Sequence, residues 1–271
     1  MNRKLFIPSL RELGYFSGFS LRNPLAFGYA GTAPVKVLLT LFRESKPVHT
    51  HFIEFPRAQA YIITRESEWN LPGGQTQAGD LSTAEYVSGT NEPIPGDFPC
   101  EGQIIMDLPE TGARASVLFE MVPVRGKGHK YAPIYHNAHY MLSSDLFETH
   151  ACMMNFNIDQ LETSDGSNKF EFRVLSPDGK TLQVTNRTLA YNSTSLISVS
   201  ELCNGKQTND NVAVLARGGA AQFAILSVFL NKRTNAIGLE HSLPPIYYTE
   251  AVKHTESRKV FYQKAFGNLW N

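Results

Sequence analysis

The chain has 271 residues, with 25 Lys and Arg balanced by 25 Asp and Glu and a hydrophobic fraction of 42%. That composition excludes an intrinsically disordered chain. The zero net charge, with cations no denser than the three between Arg125 and Lys130, excludes a polyanion-binding stripe.

From the N-terminus, Pro8, Arg11 and Glu12 interrupt the opening apolar residues before a leader peptide's core can form. No run of about 18 apolar residues follows, so neither a signal peptide nor a membrane span is expected. Cys100, Cys152 and Cys203 are odd in number and far apart. They suit reduced, structural thiols, and the expected location is the cytoplasm. On that reading, the glycosylation triplets at Asn186 and Asn192 are chance matches.

Strand signals dominate the rest. Val35 to Phe42, Val48 to Phe55, Ala60 to Thr64, Ala115 to Val124 and Phe170 to Leu175 are β-branched or aromatic runs of strand length. Leu196 to Val199, Val212 to Leu215 and Phe223 to Leu230 continue the pattern. Ser176-Pro-Asp-Gly179 predicts a tight turn, because Pro presets φ and Gly supplies φ > 0. Helical patterns are confined to one short turn over Leu142 to Glu148 and an amphipathic segment over Ser257 to Phe266.

Internal repetition is the most informative feature. Phe42 to Ser67 lies over Leu175 to Glu201, with Phe42 on Leu175, His49 on Gln183, Phe55 on Leu189 and Ile63 on Ile197. A second pairing places Ala113 to His136 over Gly219 to His241, which aligns His136 with His241. The two offsets differ by about 28 residues, all of which must then fall between Ser67 and Ala113, a Gly/Pro-rich stretch with loop chemistry. The fold class expected is all-β: two tandem, related antiparallel β-sandwich modules, with about six strands each. The first spans 1–140 with a long loop insertion near 70–103, and the second spans 141–271. Met154 to Asn157, Phe170 to Gly179, Thr185 to Leu202 and Asn211 to Phe229 together resemble the small β-sandwich module of the sensory rhodopsin transducer proteins. That resemblance implies a non-catalytic sandwich that binds a partner or a sugar. It assigns no site residue.

Phosphate loops, dinucleotide fingerprints, nucleophile elbows and paired zinc cysteines are absent from the sequence. Two histidine groups remain. His49 and His51 share one face of a strand, and an i, i+2 pair can chelate a metal, but Glu54 has the wrong parity to join them. A solvated strand face is the plainer reading. His136, His139 and His150, near Cys152, form the second group. Tyr135, His136 and Asn137, with Glu240, His241 and Tyr247 in the second copy, are the expected ligand-binding residues, since Tyr and Asn on sandwich ends grip sugars or peptides. The functional expectation is a non-catalytic binding or assembly protein without a cofactor. Its partner is a protein or a small carbohydrate or peptide, not nucleic acid or membrane, and a homo-oligomer is compatible with that role. The rival is a metal-dependent enzyme built on either histidine group.

Overall fold

Alternating and continuous apolar runs punctuated by Gly, Asn and Pro dictate strands, because a pleated chain sends successive side chains to opposite faces. A computed structural model describes residues 3–24, 35–55, 59–88, 101–123, 135–156, 166–218 and 222–241. The first half contains β1 (Arg3–Pro8), β2 (Phe16–Arg22), β3 (Val35–Arg43), β4 (Lys46–Glu54), β5 (Tyr61–Arg65), β6 (Leu81–Ser88), β7 (Glu101–Leu108), β8 (Ala113–Glu120) and β9 (Val122–Pro123). The second contains β10 (Tyr135–Met141), β11 (Phe147–Phe156), β12 (Ser167–Leu175), β13 (Thr181–Ala190), β14 (Ser193–Ser198), β15 (Val212–Gly218), β16 (Gln222–Asn231) and β17 (Ile237–His241), with a one-turn helix α1 (Val199–Leu202).

These strands form four antiparallel sheets, ordered β4-β3-β6-β1-β9 (sheet I), β5-β2-β7-β8 (sheet II), β13-β12-β15-β10 (sheet III) and β14-β11-β16-β17 (sheet IV). If β1 to β8 are renumbered as β10 to β17, the orders of sheets I and II become those of sheets III and IV, with β9 as an addition. The fold is therefore all-β, and its two sandwiches are related by duplication.

Local details carry the same signature. The β3–β4 hairpin shifts register between Leu41 and Phe42, and the β12–β13 hairpin shifts between Val174 and Leu175. Leu41 pairs with His49 as Val174 pairs with Gln183, so this part of the sequence alignment holds residue by residue. After β5, the Arg65 N–H donates to Glu68 at 2.7 Å, and after β14 the Ser198 N–H donates to Glu201 at 2.7 Å. Both glutamates satisfy an N-cap N–H, and at Ser198 the hydroxyl also accepts from the Glu201 N–H at 3.1 Å, completing a capping box there. The Ser176–Gly179 turn closes as expected, with Gly179 at φ 82° and its N–H on the Ser176 carbonyl at 2.8 Å.

Four expectations are corrected. Residues 70–103 are not a loop insertion, since Leu81–Ser88 is the central strand of sheet I. Its Ser82, Thr83 and Glu85 are buried, and Lys4 neutralises Glu85 at 3.0 Å, so this core strand reads as polar. Ala113 to His136 does not match Gly219 to His241, because β8 is an edge strand of sheet II whereas β16 is internal to sheet IV. The counterpart of β16 is β7. Residues 135–140 belong to sheet III of the second sandwich, since β10 pairs with β15. Leu142 to Glu148 is not helical: Ser143 bridges Glu148 and β11 begins at Phe147. The segment 257–266 lies outside the described residues.

Sheet IV is buried on both faces. Ala151, Met153, Phe223 and Ile225 point into the core it shares with sheet III. Cys152, Met154, Phe156, Ala224, Leu226 and Val228 join the first sandwich's core instead. Double burial explains why β16 reads as an almost unbroken apolar run rather than an alternation. The Phe6 and Phe156 rings stack across the junction with centroids 3.7 Å apart. The Tyr15 hydroxyl donates to the Asn235 carbonyl, and the Thr194 N–H donates to the Gly79 carbonyl at 3.0 Å.

Candidate functional site

Sheet II presents its inner face, with Phe19, Leu21, Ile104, Met106 and Phe119, to the first core. Period-2 alternation then sends Ser20, Arg22, Tyr61, Ile63, Gln103 and Leu118 outward. Pairing register aligns four of these in a single cross-strand row: Ile63 faces Ser20, Ser20 faces Gln103, and Gln103 faces Leu118. They line a groove of about 300 Å³. Ile63 is 63% exposed, Leu118 48% and Tyr61 46%. Ser20, the small residue in the middle of the row, keeps the floor low between the two aliphatic side chains. Toward one end of the sheet, Asp107 accepts from Arg114 Nε at 2.6 Å and lies 3.6 Å from Arg65. The arrangement offers apolar area edged by hydrogen-bonding groups, and nothing in it supplies a nucleophile–base pair.

The residues expected to bind ligand are placed differently. Tyr135, His136 and Asn137 lie on β10 in sheet III, where His136 pairs with Ala216. Glu240 and His241 end β17 in sheet IV, where His241 pairs with Leu226 and its ring meets Phe119 edge-on at 5.7 Å. His136 and His241 are thus not equivalent, because β10 corresponds to β1 and β17 to β8. Tyr247 lies outside the described residues, as does the His139 side chain. The His49 and His51 rings stand 6.4 Å apart and nearly parallel, and His49 Nε2 bonds the Trp69 carbonyl at 3.1 Å. Among the described residues, no group of three His, Cys, Asp or Glu side chains could hold a metal.

His150 instead joins a polar cluster on the β11 face that carries Cys152. Glu148 accepts from the Ser143 hydroxyl at 2.7 Å and the Ser200 N–H at 3.0 Å, and pairs with Lys232 at 3.0 Å. Burial alone would raise its pKa, but these donors and the ammonium outweigh it and hold the carboxyl below its ordinary range. Burial lowers the His150 pKa, helped by Lys232 and opposed by Glu148 and Glu201. Its Nδ1 is buried without a hydrogen-bond partner. Burial likewise pushes the Cys152 thiol far up, so it is an inert core group rather than a nucleophile.

A pH effect follows from His150. The unfolded chain takes up the imidazole proton near pH 6.5, and the folded chain only at lower pH. Stability from this group is therefore full above about pH 6.5 and is lost as pH falls toward the folded value. Melting temperatures measured between pH 8 and 5 are expected to fall less in His150→Gln than in the parent. Parallel curves would remove His150 as the cause.

No protein-family profile matches the sequence, and no curated protein matches it. Among solved structures, the chain is similar to a glycosyl hydrolase family 2 member from Bacteroides cellulosilyticus, at 8% identity and TM-score 0.19, over 90% of this chain and 26% of that one. It is similar also to Bacteroides uniformis beta-glucuronidase 2, at 12% identity and TM-score 0.18, over 88% and 25%. An FMN-binding beta-glucuronidase from Facaelibacterium prausnitzii L2-6 gives 10% identity and TM-score 0.19, over 90% and 31%. The chain spans about a quarter to a third of those proteins, and at such TM-scores the likeness carries no functional argument. Among the described residues, no helix is long and apolar enough to cross a membrane.

Proposed function

We propose that the chain is a non-catalytic binding protein whose outer sheet II face receives a protein partner. The observation that carries this reading is the row Ile63–Ser20–Gln103–Leu118, two exposed aliphatics flanking a groove on a broad sheet face. Clustered exposed aliphatics mark contact surfaces more often than isolated ones do. A protein is favoured over a sugar or a short peptide because the groove is shallow and open along four strands, whereas small-molecule sites enclose most of their ligand.

The test is a photo-crosslinking residue at position 61, with position 184 on β13 as an exposed control. In the native host, an adduct from position 61 and none from position 184 is the expected result. Absence of any adduct at 61, or equal labelling from both positions, overturns the reading.

A further inference from the structure

We infer that β4 pairs edge to edge with β4 of a second copy of this chain, antiparallel about Thr50, to form a closed dimer. This surface is separate from the sheet II face and rests on different residues.

β4 is an end strand of sheet I, and among the described residues it pairs only with β3. Its other side is a sheet edge, which templates the addition of a further strand. Lys46, Val48, Thr50, Phe52 and Glu54 are all exposed along it. Large apolar side chains such as Val48 and Phe52 are what a solvent-facing edge strand normally avoids.

The strand's own sequence names the occupant. Set antiparallel against a second β4 with Thr50 opposite Thr50, it brings Val48 opposite Phe52 and His49 opposite His51. Lys46 falls opposite Glu54, and the two-fold repeats each of these pairs. Apolar then meets apolar and cation meets anion, the cross-strand pairs that stabilise a sheet. An axis through His49 sets Val48 against Thr50 and Lys46 against Phe52, and an axis through His51 sets Val48 against Glu54. Of the axes through a residue of β4, only Thr50 makes both matches. An axis between residues opposes positions whose backbone groups alternate to opposite sides, so it forms no ladder.

Pro47, which has no N–H, and the register shift opposite Leu41 and Phe42 blunt the start of the strand, which disfavours slipped pairings toward the turn. Lys46 reaches past this kink by its flexible stem. Glu54 also meets Lys36 at 3.1 Å, but its carboxylate stays largely exposed and has room for a second cation.

The duplication supplies a contrast. β13, the counterpart of β4, is likewise an end strand. Lys180, Leu182, Val184, Asn186 and Thr188 stand there in place of Lys46, Val48, Thr50, Phe52 and Glu54. The same pairing about Val184 would oppose Leu182 to Asn186 and Lys180 to Thr188, so the self-complementary edge belongs to the first sandwich alone. A two-fold contact consumes the edge of both copies and stops at two. Its small area suits weak, concentration-dependent association.

The experiment is sedimentation of the purified full chain from micromolar concentrations to about 1 mM, the range of weak protein contacts. The weight-average mass of the parent is expected to rise from 30.2 kDa and level at twice that value. Lys46→Glu and Glu54→Lys should each weaken association roughly tenfold or more, because like charges then oppose at both ends. The variant carrying both exchanges should regain the dimer, since cation and anion again face each other. Thr50→Cys should give a disulfide-linked dimer on oxidation beyond any the parent forms, and Val184→Cys should not, because only position 50 meets its own copy. A parent that is monomeric throughout, a mass that climbs past two copies, or single exchanges that associate as tightly as the parent overturns the inference. Where a single exchange also lowers the melting temperature, the double exchange decides: a recovered dimer upholds the pairing, and a monomer overturns it.

Discussion

Glu66→Ala is expected to destabilise the protein by about 3–5 kcal/mol, the range for removing one partner of a buried ion pair. Glu66 is 1% exposed, and its carboxylate ties three segments together. Oε1 accepts from Arg11 Nη2 at 2.6 Å and from the Thr76 N–H at 2.6 Å. Oε2 accepts from the Ser17 N–H at 2.9 Å and the Thr76 hydroxyl at 3.0 Å. Truncation strands those donors and leaves Arg11 beside an apolar core, where an uncompensated cation is costly.

The alternative is that Arg11 swings to solvent and the loss is small, as for an exposed pair. Arg11 is mostly buried, however, and its guanidinium lies 3.3 Å over the Phe16 ring, which restrains it. A urea titration decides between the two. Glu66→Gln should recover only part of the loss, since either amide orientation turns an N–H toward donors that Glu66 accepts. Arg11→Ala made in the Glu66→Ala background should then cost much less than in the parent. A loss below about 1 kcal/mol for Glu66→Ala would show that the carboxylate is not a linchpin.

Legibility of the sequence tracked how each strand is buried. The hairpin β3–β4 and its copy β12–β13 are readable because β-branched and apolar runs flank a polar turn in each, although Val48, Phe52, Leu182 and Val184 point outward and are exposed. The offset change between Phe42 and His49 reflects the one-residue-longer turn at Gly179, and the register shift itself is common to both copies. At β5 the sequence match of Ile63 with Ile197 fails: Ile63 is 63% exposed and Ile197 is buried, so the two lie on opposite faces. The true counterpart is Leu196, and a single-residue error in a strand reverses every side chain.

In β6 and β7 burial is satisfied by partners and close packing rather than by apolarity, so neither reads as a strand from sequence. In β6 it is the Lys4–Glu85 pair and packed Ser and Thr. In β7, Gly102 makes room in the core, where an added Cβ would come within 2.9 Å of Leu21. With β7 so unmarked, the apolar run of β8 resembles that of β16 in sequence, and the His136–His241 equivalence rests on that false match. The sheet II groove is hidden in the sequence because Gly18 and Gly102 interrupt the strand patterns of β2 and β7, two of its four strands. Pairing order alone reveals that β10, with His136, and β17, with His241, lie in different sheets.

Phe156→Ala is expected to lower stability by about 3–5 kcal/mol and to do so for both sandwiches together. The ring is 1% exposed and stacks on Phe6 at an interplanar angle of 10°. Its removal opens a void between the sandwiches rather than within one, because Phe156 projects from the sheet IV face that joins the first core. Inter-module interfaces that are small and polar let modules unfold separately. This one shares a continuous apolar cluster, so a single cooperative transition is expected in the parent. Trp69, fully buried in the first sandwich, reports that side once Trp270 is replaced by Phe. The circular dichroism signal reports strands of both. In Phe156→Ala, the Trp69 midpoint and the dichroism midpoint should fall by the same amount, although the substituted residue belongs to the second sandwich. If the Trp69 midpoint stays at the parent's value while the dichroism transition splits in two, the sandwiches fold independently. The stacked pair would then be a contact between finished modules rather than part of a common core.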